Sequence, residues 1–467
     1  MNRFLFIILY SFIFMQEFDG YTLFTPSASN IDVETILMDN DYSFINVWNH
    51  DFNPASMPYL LPDSSIIYPY KIDFPTMTAG GVGGGVQKVS WSGDIIWDYT
   101  FSDSTYQHHH DIEPLPNGNV LILLWEKKTA SEAYLKGRTT INNALNQMWS
   151  TAIVELDPAL GIIVWEWHLW DHLVQDTNPE LDNYGIISEH PGLFDINCGD
   201  VGVNAGGPQD PNGDWMHMNS IHYNNSLNQI ILSSRLQSEF YIIDHTTTTE
   251  QAASHSGGDS GKGGDILYRW GNPQNYGRGD ESDRVLYSQH SVNWIPLGYP
   301  GEGNIILFNN FHDNNGSGVI EISPPLNNEG EYIINDGESF GPLDLEWEYI
   351  CDIIVPIQGG AFRLPNGNTI ITETHHQKII EVDSAGNSVW EYIDQDGWIY
   401  RANKYNQNFS QDIFIGDVNL DSSIDILDVV FTVNIILQND NNIYADLNQD
   451  GIVDILDIIL IINIILD

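Results

Sequence analysis

His110, His217 and His290 each open a copy of one repeated strand pattern. The copies begin His110-Asp111-Ile112-Glu113, His217-Met218-Asn219-Ser220 and His290-Ser291-Val292-Asn293, and each leads into an apolar strand. A fourth copy carries Gly359 at the equivalent place. Repeats ordinarily share core residues, so a shared titratable side chain points to one common site. A neutral imidazole is a nucleophile near pH 7, and a second one can move protons. Asn219 lies two residues beyond His217, on the same strand face. Arg235 ends the strand 230–234, and its planar fork suits tetrahedral oxyanions such as sulfate or phosphate. Thr374 takes the corresponding place in the last repeat, with Thr372 on the same face. These residues predict a donor-rich, cationic pocket. Its first histidine has two candidates: aligning Leu115 with Ile295 selects His110, and a shift by one residue selects His109. Three histidines can also hold zinc, a reading that Arg235 opposes because a fixed cation repels the ion. No Ser-His-Asp grouping is visible. Gly80 to Gly85 lacks the Lys-Ser/Thr of a P-loop and reads as an ordinary inter-strand loop.

The elements that must position these residues are strands. Each repeat starts with an apolar strand around a turn such as Leu115-Pro116-Asn117-Gly118-Asn119 or Leu364-Pro365-Asn366-Gly367-Asn368. Each ends with a Trp-bearing strand, as in Ile45–Trp48, Ile95–Tyr99, Ile163–Trp167, Ile266–Trp270, Leu345–Tyr349 and Ser388–Tyr392. Alternation, β-branched content and Asn-Gly turns predict antiparallel strands, three to four per repeat. Four-stranded units repeated radially make a β-propeller, and six closing strands predict six blades. The first copy lacks an opening hairpin, so the N-terminal strands are expected to complete the last blade. Insertions fall at 127–150 and 170–216; the second directly precedes His217 and reads either as a wall over the axis or as a surface loop. In a propeller the innermost strands line the central channel, so the histidines are expected to converge at the axis.

The 467 residues, 42% hydrophobic, suit one large domain and an appendage. A formal net charge of −48, from 64 acidic and 16 basic residues, argues against nucleic acid or an anionic membrane as partner. Residues 1–19 read as an export signal, with Arg3 ahead of the apolar run Phe4 to Met15. That run is shorter than the roughly 20 residues of a membrane span. No small-x-small cleavage site follows, which keeps an uncleaved anchor as the alternative. The expected location is secreted, periplasmic or extracellular. Cys198 and Cys351 form no metal-ligating motif and read as structural or free.

The propeller is expected over residues 20–405, and the character of the chain changes around residue 411. Asp417, Asn419, Asp421, Asp425 and Asp428 place oxygen ligands at positions 1, 3, 5, 9 and 12 of a loop. Asp446, Asn448, Asp450, Asp454 and Asp457 repeat the pattern. That spacing wraps oxygens around a calcium ion. Each loop runs into an apolar helix, Val429 to Leu437 and Ile458 to Leu466, giving a small α-helical calcium-binding domain over 411–467. This tail resembles a type I dockerin. The resemblance implies a cohesin-like or cell-surface partner, bound through the helices just after the loops. Ile426-Leu427 and Ile455-Leu456 stand where cellulosomal dockerins often have small hydroxylated residues.

Residues 30 to 400 resemble the bacterial arylsulfotransferase family, six-bladed propellers that act without a nucleotide sulfate donor. The likeness rests on His109-His110-Asp111, His217-Met218-Asn219-Ser220, Ser233-Ser234-Arg235, Gln289-His290 and Leu364-Pro365-Asn366-Gly367-Asn368-Thr369. It implies a secreted aryl sulfate sulfotransferase, with a phenolic sulfate as donor, a phenol as acceptor and no catalytic cofactor. By that likeness His290 is the nucleophile that becomes a sulfohistidine. Arg235, Asn219 and His217 hold the sulfuryl oxygens, His110 or His109 moves the proton, and Thr372 or Thr374 adds a hydrogen bond. The alternatives are a non-catalytic propeller binding a sulfated ligand, a quinoprotein-like propeller suggested by the Trp-bearing strands, and hydrolysis in which water replaces the phenol.

Overall fold

The computed structural model describes residues 16–27, 33–202, 211–313, 316–327, 330–395 and 397–409, and in the tail 416, 418, 424–438, 445–448 and 452–466. Six four-stranded antiparallel sheets form the blades of a propeller. From the inside outward, the second blade runs Tyr59–Leu60, Ile66–Lys71, Gly84–Val89 and Ile95–Thr100, and the third Tyr106–Pro114, Val120–Thr129, Gln147–Asp157 and Ile162–His168. The fourth comprises Met218–Asn224, Gln229–Ser234, Glu239–Asp244 and Tyr268–Trp270. The fifth comprises His290–Trp294, Ile305–Asp313, Gly316–Ile322 and Trp347–Ile350, and the sixth Gly360–Arg363, Thr369–Glu373, Lys378–Val382 and Ser388–Ile393.

Ring closure runs opposite to expectation. The C-terminal strand Asn403–Asn406 is the innermost strand of the first blade, paired with Gly20–Phe24 and followed by Val33–Met38 and Phe44–His50. The N-terminal strands therefore do not complete the last blade. A late strand entering an early sheet ties the two ends of the ring together, and only the tertiary arrangement reveals that pairing.

An apolar cluster fills the space between each pair of neighbouring blades, as where Leu121, Leu123 and Ile153 of the third meet Ile221, Ile230 and Leu232 of the fourth. The closing-strand tryptophans serve these seams. Trp48 Nε1 donates to Ser90 O at 2.8 Å, Trp347 to Ser384 O at 2.9 Å and Trp390 to Asn40 O at 3.0 Å, each reaching a turn of the next blade. Those indoles are tied up in blade contacts, so the quinoprotein reading loses the feature that suggested it.

The 127–150 insertion is a hairpin extension carrying a helix, Ala130–Leu135, whose N-cap Thr129 and Glu132 form a capping box. The second insertion packs on the seam between the third and fourth blades, where Leu173, Phe194, Trp215 and Met216 are buried. In the tail, helices span Ile426–Gln438 and Ile455–Leu466, each starting three residues before the sequence estimate. Asp425 and Asp454 explain the earlier start, since each carboxylate accepts the N–H two residues on at 2.7 Å and caps the helix. Cys198 and Cys351 are both free. Among the described residues no helix is long and apolar enough to cross a membrane.

Candidate active site at the propeller axis

The inner strands carry the site residues, and a repeated hydrogen bond sets their register. Asp111 Oδ2 in the third blade accepts the N–H of Ile221 in the fourth at 3.2 Å, and Ser220 Oγ accepts that of Val292 in the fifth at 3.1 Å. Asp111, Ser220 and Ser291 are therefore equivalent, and the residues before them are His110, Asn219 and His290. Asn219, not His217, occupies the shared histidine position in the fourth blade. His217 reaches the same pocket from two residues earlier because a bulge separates Met218 from Ser220. His110 (φ 55°) and His217 (φ 50°) both adopt the left-handed conformation, which side-chain-bearing residues rarely hold without a surrounding reason.

His290 is buried, and its ring is oriented from both sides. Nδ1 lies 2.7 Å from Asn310 Oδ1 and 3.1 Å from Ser288 O. The Asn310 amide is itself fixed, donating to Val355 O and Gln358 O at 2.7 Å each. Two acceptors at Nδ1 put the proton there, so Nε2 holds the lone pair and accepts the Gln358 N–H at 3.2 Å. Burial, then the charge of Arg235, holds this imidazole well below the usual histidine range. It is neutral at pH 7, with Nε2 unprotonated.

His109, His110 and His217 form a chain of rings. His109 stacks on Trp125, with centroids 4.2 Å apart, and its Nδ1 faces His110 Nδ1 at 2.8 Å. His110 meets His217 edge to face at 4.6 Å. Burial pushes both His109 and His110 well down, and the neighbouring histidines add to the effect. The two facing Nδ1 atoms therefore share one proton. His217 Nδ1 is paired with the Asp214 carboxylate, which also accepts the His217 N–H at 3.2 Å and Trp125 Nε1 at 3.1 Å. Asp214 sits at the end of the second insertion, which thereby supplies part of the site.

Asn219 and Arg235 each bring to this pocket a buried polar atom that lacks a partner. Asn219 Nδ2 donates to Gln289 O at 2.7 Å, which leaves its buried Oδ1 unpaired. Arg235 donates its backbone N–H to His217 O at 3.1 Å, and its buried Nε is unpaired. Burial lowers the Arg235 pKa and Asp214 opposes that shift. Thr372 and Thr374 are turned elsewhere: Thr372 Oγ1 accepts the Ala402 N–H at 2.9 Å and Thr374 Oγ1 donates to Tyr400 O at 3.1 Å. Both hold the segment that returns to close the ring.

Sequence reading missed several contributors. Asp214, Asn310 and Gln358 support the histidines from loops and second strands, where no repeat position announces them. Asp111 carries a buried network: its Oδ1 pairs with Arg401 and accepts Tyr59 Oη at 2.8 Å and Ser56 Oγ at 3.2 Å. Of Gly80 to Gly85, read as an ordinary loop, Gly81 and Gly83 pack against histidine rings, and Gly84 and Gly85 begin a strand. Gly81 takes φ +77°, and a Cβ there would fall 2.0 Å from His110 Nε2; one at Gly83 would fall 2.5 Å from His108 Nδ1. The run of glycines was the available signal, since backbone packed against rings leaves no room for side chains.

In the tail, Asp428 and Asp457 are fully buried. Asp428 accepts the N–H groups of Val418 and Asp425 at 2.7 Å each, and Asp457 those of Leu447 at 2.8 Å and Asp454 at 2.9 Å. Two buried carboxylates in matching loop positions suit a hard divalent cation. Asp417, Asn419, Asp421 and Asp450 lie outside the described residues, as does the apolar run Phe4 to Met15.

Residues 76–320 match the family model described as Arylsulfotransferase (ASST), and residues 415–466 match that of the Dockerin type I domain. None of the curated proteins compared with the chain matches it. Among solved structures, a protein of unknown function from Bacteroides caccae is 12% identical, with a TM-score of 0.43, covering 82% of this chain and 98% of that one. A putative 6-phosphogluconolactonase from Bacteroides fragilis is 8% identical with a TM-score of 0.40, covering 83% and 98%. A streptogramin B lyase is 11% identical with a TM-score of 0.35, covering 83% and 94%. Similarities of this size carry no argument about activity.

Proposed function

Because the chain belongs to the arylsulfotransferase family, we propose that it moves a sulfuryl group from a phenolic sulfate ester to a phenol, without a nucleotide donor, through a sulfohistidine at His290. The observation that carries this reading is the oriented, neutral His290 ring, with its lone pair on Nε2 beside an arginine whose Nε has no partner. Nε2 gives up the Gln358 N–H and attacks sulfur as the aryl S–O bond breaks. Arg235, Asn219 and His217 hold the sulfuryl oxygens, whose charge shifts as sulfur passes its trigonal transition state. Asn219 donates there through its amide after exchanging its Gln289 bond for the ester. His217 is held in place there by Asp214 through its Nδ1.

His110, coupled to His109 through their Nδ1 atoms, protonates the departing phenolate. Both rings are neutral in the free pocket, so the pair takes up one proton from water as the ester binds. The anionic ester adds negative charge beside them and favours protonation. In the second half-reaction the acceptor phenol gives its proton to the same pair and attacks sulfur. The N–S bond then breaks and His290 is restored. Thr372 and Thr374 act as positioning residues for the ring-closing segment.

The tail is proposed to hold calcium through Asp417, Asn419, Asp421, Asp425 and Asp428, and through Asp446, Asn448, Asp450, Asp454 and Asp457. The ions neutralise the carboxylates and order the loops. The exposed Ile426, Leu427, Ile455 and Leu456 would then meet a cohesin-type partner. Such a role suits export to the periplasm or cell exterior. Gln16 O accepts Asn368 Nδ2 at 2.9 Å and Phe18 N donates to Glu381 Oε1 at 2.6 Å, so the leader is proposed to end before Gln16 rather than at residue 19 as read from the sequence.

The test is a chromogenic aryl sulfate, with and without added phenol, on the wild type and His290→Ala. Protein quenched in base during turnover is also examined for the mass of one SO3. Phenol-dependent release and the adduct should both vanish in the variant. An unchanged rate in His290→Ala would move the nucleophile to another histidine. No turnover of several aryl sulfates by the wild type would leave an anion-binding propeller instead.

A further inference from the structure

We propose that the outer edge of the propeller carries a transition-metal site of the zinc class, formed by His172, His255 and Asp265. It lies outside the axial pocket. His172 follows the outer strand of the third blade, whereas His255 and Asp265 belong to the connection between Glu239–Asp244 and Tyr268–Trp270 in the fourth. Their candidate ligand atoms all lie within 4.8 Å of one another.

The orientation of the His172 ring carries the inference. Its Nε2 lies 2.8 Å from the Ala252 carbonyl oxygen, which can only accept, so the ring hydrogen is on Nε2. Nδ1 then presents a lone pair, and it faces Asp265 Oδ1 at 2.8 Å. His255 Nδ1 faces the same oxygen at 2.8 Å. Two imidazole nitrogens converge on one carboxylate oxygen, an arrangement that a shared metal ion would satisfy. A histidine that donates its far N–H to a carbonyl has the tautomer and orientation of a metal ligand.

The fold holds His172 in that pose. Its side chain is fully buried and stacks parallel to Trp167, with centroids 5.6 Å apart. Gly264 makes the space, because a Cβ there would come 2.7 Å from His172 Nε2. His255 is 60% exposed, so the open side of the cluster admits an ion and a water ligand. Two imidazoles and one carboxylate favour Zn²⁺ over the hard ions Ca²⁺ and Mg²⁺. A bound ion would tie the third blade to the fourth at their outer edges.

The experiment uses the full chain, stripped with chelator and then saturated with Ca²⁺ to fill the tail. Zn²⁺ is titrated calorimetrically, and Co²⁺ is added in parallel for its visible absorption. The wild type and His290→Ala should each bind one Zn²⁺ per chain and give a Co²⁺ band. His255→Ala, a surface change that leaves the core intact, and Asp265→Asn should each weaken Zn²⁺ by about tenfold or more and lose the band. No binding by the wild type would overturn the proposal and leave a protonated histidine in an ion pair. Binding that survives in either of the two site variants, or disappears in His290→Ala, would overturn it equally.

Discussion

Gly81→Ala tests the axial site through one atom. The new Cβ would meet His110 Nε2 at 2.0 Å, where ordinary contact begins at 3.4 Å, so the ring must retreat by about 1.4 Å or the loop must move. The left-handed φ of +77° adds strain of about 1–2 kcal/mol for any side-chain-bearing residue. A shift of about 1 Å in a catalytic group can cost about 100-fold, and general acid–base catalysis contributes about 100- to 10,000-fold in all. The expected loss therefore depends on the leaving group. With aryl sulfates whose phenolates are weakly basic, departure needs little help and the variant should stay near wild type. With basic phenolates the rate should fall by about 100-fold or more. The assay is single-turnover release across a leaving-group series, alongside thermal melting to register the backbone strain. A loss of equal size across the series would refute His110 as the proton donor. Unchanged rates and melting throughout would refute the packing of His110 on Gly81.

Four further outcomes follow from the same geometry. Asp111→Ala should cost about 3–5 kcal/mol in chemical denaturation, because it leaves the Arg401 guanidinium buried without its carboxylate. Acid should destabilise the propeller early: burial holds His50 and His108 down to about 3, and His109, His110 and His290 well below the usual range. The unfolded chain takes up those protons first, so this stability is intact above about pH 6.5 and is lost as pH falls, by about 1.4 kcal/mol per pH unit for each histidine. Glu113, held above the usual carboxylate range mainly by burial, works in the opposite sense, and a denaturation series from pH 7.5 to 5 reads the balance. Calcium chelation, or Asp457→Asn, should reduce the helical circular dichroism of the tail while leaving the propeller transition in place. Asn310→Ala should lower turnover by about tenfold or more with little change in KM, since it releases the His290 tautomer and touches no substrate.

Much of the architecture was legible because repetition makes it so. Six Trp-bearing closing strands count six blades, and all six are outer strands in the structure. The Leu-Pro-Asn-Gly-Asn turns locate inner hairpins because their backbone demands are local. Ring closure was not legible, since pairing of Asn403–Asn406 with Gly20–Phe24 depends on the circumference of the whole ring. The equivalence of His217 with His110 also failed, because a bulge moves a side chain along the strand without leaving a clear mark in the pattern.

By itself the sequence determined which side chains are available and roughly which strands deliver them: His110, His217, His290, Asn219 and Arg235 stand out by type and by place in the repeat. Only the tertiary structure decided what state those groups are in. The neutral His290 ring, its Nδ1 proton on Asn310 and the pairing of His217 with Asp214 arise from burial and from partners on other loops and strands. Protonation and ring orientation are set by distance and dielectric, and those quantities exist only once the blades have closed around the axis.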